Sequence, residues 1–186
     1  IVVHGLGRMG MQIARKLAES GEHEVFAHNR SPEPLQEAAG YGVKPVSVIS
    51  DIPGEFGTDR AVVWVMLPAD ITEQIIMDWT SRLPKGSIII NGANFDFRET
   101  KKLNEKVKAA GMEMIDIGVS GGVWGYQNGF PLMCGCDDQA AFDFIRPALE
   151  TLVKPGGMYA RFGASGAGHY VKMVHNAIEY GMMQSL

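Results

Sequence analysis

Lys172, Asn176 and Glu179 stand at i, i+4 and i+7, and at about 100° per residue a helix carries all three within a narrow arc. An amine, an amide and a carboxylate on one face supply a proton acceptor, a group that both donates and accepts, and a proton donor, the equipment of general acid–base chemistry. His175 and Tyr180 lie beside them. Taken alone, the same spacing fits a solvated polar face with a lysine and a glutamate seven residues apart. The glycine-rich sequence upstream favours chemistry.

That sequence begins at the first strand-like run. Gly5-Leu6-Gly7-Arg8-Met9-Gly10 follows Ile1-Val2-Val3 and opens a helix, the context in which a G-x-G-x-x-G pattern marks a dinucleotide site. The first glycine permits the tight turn, the second lets backbone approach a pyrophosphate, and the third lets helix and strand pack closely. Free N–H groups at the helix start then face the anion. Where NAD-specific proteins place an acid for the ribose 2′-hydroxyl, this chain reads His28-Asn29-Arg30-Ser31. No carboxylate repels a 2′-phosphate there and Arg30 can pair with one, so NADP is expected over NAD, with NAD still possible. Met66, Leu67 and Pro68 end another strand at the sheet edge where such ligands lie, and are expected along the coenzyme.

The elements that would hold these residues alternate. Strand-like runs (1–3, 24–27, 60–67, 87–90, 112–117 and 131–136) are separated by helical stretches (9–19, 34–39, 71–82, 97–110 and 137–152), with a last strand at 158–162. This is the rhythm of an α/β, Rossmann-type, doubly wound and mostly parallel sheet. Phe142, Ile145, Leu149 and Leu152 form the buried stripe of the 137–152 helix. From His169 to Leu186 the pattern becomes one long helix, expected to pack through Val171, Val174, Ile178 and Met182. We therefore expect a coenzyme domain over residues 1–164 and the first long helix of an all-α domain over 165–186. The chain begins inside a strand without an initiator methionine, and no stop signal closes its last helix, so a fragment is expected.

Composition narrows the partners. A formal net charge of −4 leaves no broad cationic field for nucleic acid or anionic lipid. No apolar run approaches the roughly 20 residues of a membrane span, and a cytoplasmic protein is expected. Cys134 and Cys136 share one face of a strand and read as two buried thiols, and no second Cys or His pair supports a metal site.

The stretch Gly166-Ala167-Gly168-His169-Tyr170-Val171-Lys172-Met173-Val174-His175-Asn176-Ala177-Ile178-Glu179-Tyr180 closely resembles the catalytic helix of decarboxylating 6-phosphogluconate dehydrogenases. Gly5 to Gly10 matches that family's coenzyme loop. Asn91-Gly92-Ala93-Asn94 is similar to its Asp-Gly-Gly-Asn turn, and Gly118-Val119-Ser120-Gly121-Gly122 to its substrate loop. The resemblance implies NADP-dependent oxidation and decarboxylation of 6-phosphogluconate to ribulose 5-phosphate, the pentose phosphate pathway reaction. Lys172, made neutral by burial and neighbouring positive charge, would act as base and Glu179 as acid. Asn94, Ser120, Gly121, Gly122, His175 and Asn176 would surround the sugar acid, with Tyr180 near its phosphate and Asn94 also on the coenzyme side. A homodimer is implied for the full-length protein.

Departures are present. Asn91 replaces the usual aspartate, Ala93 a glycine, and Phe95 a small polar residue, while Val123-Trp124-Gly125 resembles the shorter bacterial members. Related 3-hydroxyisobutyrate-type dehydrogenases share the Ser-Gly-Gly turn and the lysine but typically show Lys-x-x-Asn-Asn. Here His175-Asn176 is followed by Glu179-Tyr180, which fits decarboxylation. A coenzyme-binding module without turnover is the alternative for the isolated chain.

Overall fold

The computed structural model describes residues 1–49 and 60–186. Eight strands form one sheet in the order β3-β2-β1-β4-β5-β6-β7-β8: β1 Val2–His4, β2 Phe26–His28, β3 Lys44–Pro45, β4 Val62–Val65, β5 Ile88–Asn91, β6 Glu113–Val119, β7 Leu132–Cys136 and β8 Tyr159–Gly163. The helices are α1 Arg8–Glu19, α2 Pro32–Ala39, α3 Ala69–Thr80, α4 Phe97–Ala109, the short α5 Gly125–Asn128, α6 Gln139–Val153 and α7 Ala167–Ser185.

All pairings are parallel except β6 with β7. Only a 3₁₀ turn at Gly122–Trp124 and α5 join those two strands, and a link that short turns the chain straight back. The strands β1, β4 and β5 are buried on both faces and are apolar except for His4 and Asn91 at the ends of β1 and β5, as a sheet covered by helices on both sides requires. One core lies under α1 and α6 and takes in Ile13, Leu17, Trp64, Ile145 and Leu149. The other, with Val65, Ile76, Trp79, Leu103 and Met114, lies under α3 and α4. The stripe Phe142, Ile145, Leu149 and Leu152 is buried as expected, and both cysteines are buried and unpaired.

The structure corrects the sequence in two places. The edge strand β3 and the α5 turn were not foreseen, because an exposed two-residue strand and a four-residue helix carry almost no periodic signal. Helices α2, α3 and α7 each begin two residues earlier than periodicity indicated. The residues expected as the packing stripe of the last helix lie mostly beyond the part of that helix that the rest of this chain covers. The buried residues of α7, Gly168 and His169, lie in its first turn, whereas Val174, Ile178 and Met182 are 37%, 59% and 65% exposed. The first two turns of α7, Lys172 included, are seated on the sheet.

The strand order reverses direction between β1 and β4. Loops leaving the carboxyl ends of those strands diverge to opposite faces and open a crevice, the usual ligand position in an open α/β sheet.

Candidate functional site

The three glycines of the first loop do different jobs. Gly5 has φ +100°, a backbone that L side chains rarely adopt, and a Cβ there would lie 2.5 Å from Met66 O. A Cβ on Gly10 would collide with Gly5 O, so that glycine lets α1 close onto the strand end. At Gly7 a Cβ would meet nothing within 4 Å, so the loop is open at that point. Gly7 is also the N-cap of α1, with no side chain capping the helix and no acid in its first turn. First-turn N–H groups and positive helix end are thus left for an anion, which fits a dinucleotide pyrophosphate.

The loop is held from β2. Gly5 N donates to His28 O at 2.9 Å, and Leu6 N to Asn29 Oδ1 at 3.0 Å. Asn29 Nδ2 in turn donates to Ser31 O at 3.1 Å. The Asn29 side chain is therefore engaged in shaping the loop. Arg30 and Ser31 are exposed just outside it, and Arg30 makes no hydrogen bond or ion pair among the described residues.

A cleft of about 1150 Å³ runs from this loop to α7. Gly7 to Gly10 and Met66 to Pro68 line its coenzyme-loop side, while Asn94, Ser120, Gly121 and Gly122 line it farther along, with Lys172, His175, Asn176, Glu179 and Tyr180 from α7. Of the sequence-predicted residues, Gly5, Leu6, Asn29, Arg30 and Ser31 are not in its wall. The first two are the buried start of the loop and the last three follow β2.

Positive φ at Gly121 (+99°) and Gly122 (+50°) turns the chain after β6, and Ser120 N donates to Pro131 O at 2.9 Å. Both glycines line the cleft, and the left-handed backbone they adopt is one that other residues rarely take. Gly118, which the sequence did not mark as a site residue, has a sharper role: a Cβ there would overlap Lys172 Cβ. Only glycine lets the lysine stem lie on β6. Burial holds the Lys172 ammonium below the usual lysine range, and the Glu179 carboxylate opposes that shift. The expected neighbouring positive charge is not among the causes. Desolvation alone drives the change. His175 Nδ1 lies 3.6 Å from Glu179 Oε2 and 3.4 Å from Asn176 Oδ1, so the polar groups of α7 form one contiguous set.

What seats α7 was not legible in the sequence. Asp116, wholly buried in β6, accepts from Gly166 N at 2.7 Å and from His169 N at 2.9 Å. It caps, from a different strand, a helix whose own N-cap is a glycine with no side chain to offer. Burial raises the Asp116 carboxyl to about 6 against an ordinary 3.8, and the backbone N–H groups it accepts oppose the rise. Gly135 and Gly168 complete the fit: a Cβ on either would run into Asp116 or strand backbone.

The departures at the end of β5 are accommodated. Asn91 Oδ1 accepts from Ala93 N at 3.2 Å, and Asn91 Nδ2 has no partner among the described residues. The Ala93 methyl is buried, and Phe95 packs onto the core under α3 and α4 while lining the cleft.

Comparison with known proteins agrees with this layout. The family described as the NAD binding domain of 6-phosphogluconate dehydrogenase matches residues 1–163, and the one described as the 6-phosphogluconate dehydrogenase C-terminal domain matches residues 168–186. An NAD(+)-dependent, decarboxylating 6-phosphogluconate dehydrogenase of Haloferax volcanii is 36% identical over 184 residues, which are 98% of this chain and 60% of that protein. An NADP(+)-dependent, decarboxylating one of Bacillus subtilis is 35% identical over 193 residues, 99% of this chain and 40% of that protein. Among solved structures, a 6-phosphogluconate dehydrogenase of Plasmodium falciparum superposes with TM-score 0.88 at 27% identity, covering 99% of this chain and 41% of that one. A Mycobacterium tuberculosis 3-hydroxyisobutyrate dehydrogenase superposes with TM-score 0.84 at 24% identity, over 95% and 58%, a likeness of fold. The chain thus spans between two fifths and three fifths of the length of these relatives.

Proposed function

Because this chain belongs to the 6-phosphogluconate dehydrogenase family, an oxidoreductase family, we propose that it carries the coenzyme site and one wall of the substrate site of an enzyme that oxidatively decarboxylates 6-phosphogluconate to ribulose 5-phosphate. On this reading residues 1–164 are the coenzyme domain and 165–186 open the helical domain. The observation that carries it is a single cleft into which the glycine loop, the Ser120–Gly122 turn and the Lys172–Glu179 face all open.

The chain's residues divide the chemistry. A nicotinamide coenzyme held on the Gly5–Gly10 loop supplies the acceptor for the hydride that leaves C3. Lys172, biased toward its neutral form by burial, takes the proton of the C3 hydroxyl. The resulting 3-keto acid loses its carboxylate as carbon dioxide. Glu179 then delivers a proton to C1 of the enol. Asn94, Ser120, His175 and Asn176 offer the donors and acceptors a polyhydroxy acid requires, Gly121 and Gly122 bring backbone N–H groups to its carboxylate, and Tyr180 reaches toward the phosphate. Coupled loss of carbon dioxide and coenzyme reduction by the full-length protein tests this assignment.

NADP is the proposed coenzyme. Named relatives include both NAD- and NADP-dependent enzymes, and the support here is local: an exposed guanidinium at Arg30 with no pairing among the described residues, and no acid in His28-Asn29-Arg30-Ser31. A homodimer and a cytoplasmic location are proposed with the enzyme.

A further inference from the structure

His169 precedes Lys172 by one helical turn, is 4% exposed, and reaches the cleft at its deep end. Its ring nitrogens engage two other elements. Nε2 lies 3.1 Å from Asn91 O at the end of β5, and Nδ1 lies 2.7 Å from Thr100 Oγ1 in α4. A carbonyl only accepts, so the ring proton sits on Nε2 and Nδ1 is left as an acceptor. Thr100 must then give its one hydroxyl proton to the ring. The nearby Asp96 O, 2.9 Å from Thr100 Oγ1, is served by the Thr100 backbone N–H instead. With its own N–H on Asp116, His169 gathers β5, β6 and α4 onto the first turn of α7.

We propose that His169, as the neutral Nε2–H tautomer, is a positioning residue that fixes the helix bearing Lys172 in register with the turn Asn91–Asn94. It touches none of the reacting atoms in this scheme. It sets the distance between the two walls of the cleft, and so the depth to which Lys172 is buried on Gly118. Burial also keeps the imidazole neutral, lowering its pKa to about 4, so the tautomer persists across the working range of a metabolic enzyme. The inference rests on Lys172 being the base.

The test reads Lys172 itself. Lysines of the full-length protein are reductively methylated with ¹³C-formaldehyde, the Lys172 signal is identified by its loss in Lys172→Arg, and its titration is followed by NMR. Wild-type Lys172 is expected to titrate below the surface lysines. His169→Phe, which removes both ring bonds, should raise the Lys172 midpoint toward that of the surface lysines. His169→Gln, whose amide still reaches Asn91 O, should recover at least half of that shift, and Thr100→Val should give an intermediate rise. A midpoint unchanged in a cooperatively folded His169→Phe would overturn the inference and leave the base assignment intact. If His169→Phe does not fold, an unchanged midpoint in Thr100→Val overturns it. A wild-type Lys172 that titrates with the surface lysines would instead overturn the base assignment and the role given to His169 with it.

Discussion

At the scale of single residues, Lys172 and Glu179 have separable fates. In the full-length protein Lys172→Met is expected to abolish coenzyme reduction, because no group remains to take the C3 hydroxyl proton. Glu179→Gln should preserve hydride transfer and slow the protonation that follows. Stopped-flow absorbance of the reduced coenzyme, set beside product formation, distinguishes the two, and normal product formation by Lys172→Met would contradict the scheme. Arg30→Ala should raise the KM for NADP by about tenfold or more, the worth of one charge-assisted phosphate contact, and leave that for NAD nearly unchanged. Equal effects on both would remove Arg30 from the coenzyme site. That Lys172, Asn176 and Glu179 share one face was legible from helical spacing, while their assignment to chemistry needed the glycine-rich sequence upstream and the family resemblance. Gly118, Asp116 and His169 were not, since each owes its role to a contact made across about fifty residues or more, which local periodicity does not encode.

At the scale of elements, the seating of α7 is titratable. The folded Asp116 carboxyl is raised to about 6 from 3.8, so protonation favours the fold. Its contribution is fully present below pH 3.8 and is lost as pH rises through about 6, a change on the order of 3 kcal/mol. Asp116→Asn does not titrate. The difference in unfolding free energy between variant and wild type should therefore move in favour of the variant from pH 4 to 7, as measured by urea denaturation. A difference constant with pH would remove Asp116 as the burial-strained cap. The glycine loop offers a second check. Gly10→Ala places a methyl on Gly5 O, and should weaken coenzyme binding and cost about 1–3 kcal/mol of stability through overpacking. The long helices and buried strands were readable from period and apolar runs. What the sequence could not supply was the seating of α7: its first two turns rest on the sheet through Gly168, His169 and Lys172, each fitted to a strand distant in sequence.

For the whole molecule, sheet order and cleft position follow from one another. The reversal between β1 and β4 opens the crevice, and the antiparallel return at β7 lets α7 cross the end of β6 and bring Lys172 to it. A chain that spans at most about three fifths of the relatives described above is expected to bind coenzyme but turn over little by itself, because the substrate would be held from one side and the site left open to water. Isothermal titration with NADP, beside a rate assay on the same 186 residues, checks this, and robust turnover would show that one wall suffices. The central claim concerns the reaction. The most direct measurement is carbon dioxide released from 6-phosphogluconate labelled at C1, by the full-length protein supplied with NADP. We predict labelled carbon dioxide in step with reduced coenzyme, and none from Lys172→Met. Oxidation of small β-hydroxyacids such as 3-hydroxyisobutyrate, with no labelled carbon dioxide from 6-phosphogluconate, would contradict it.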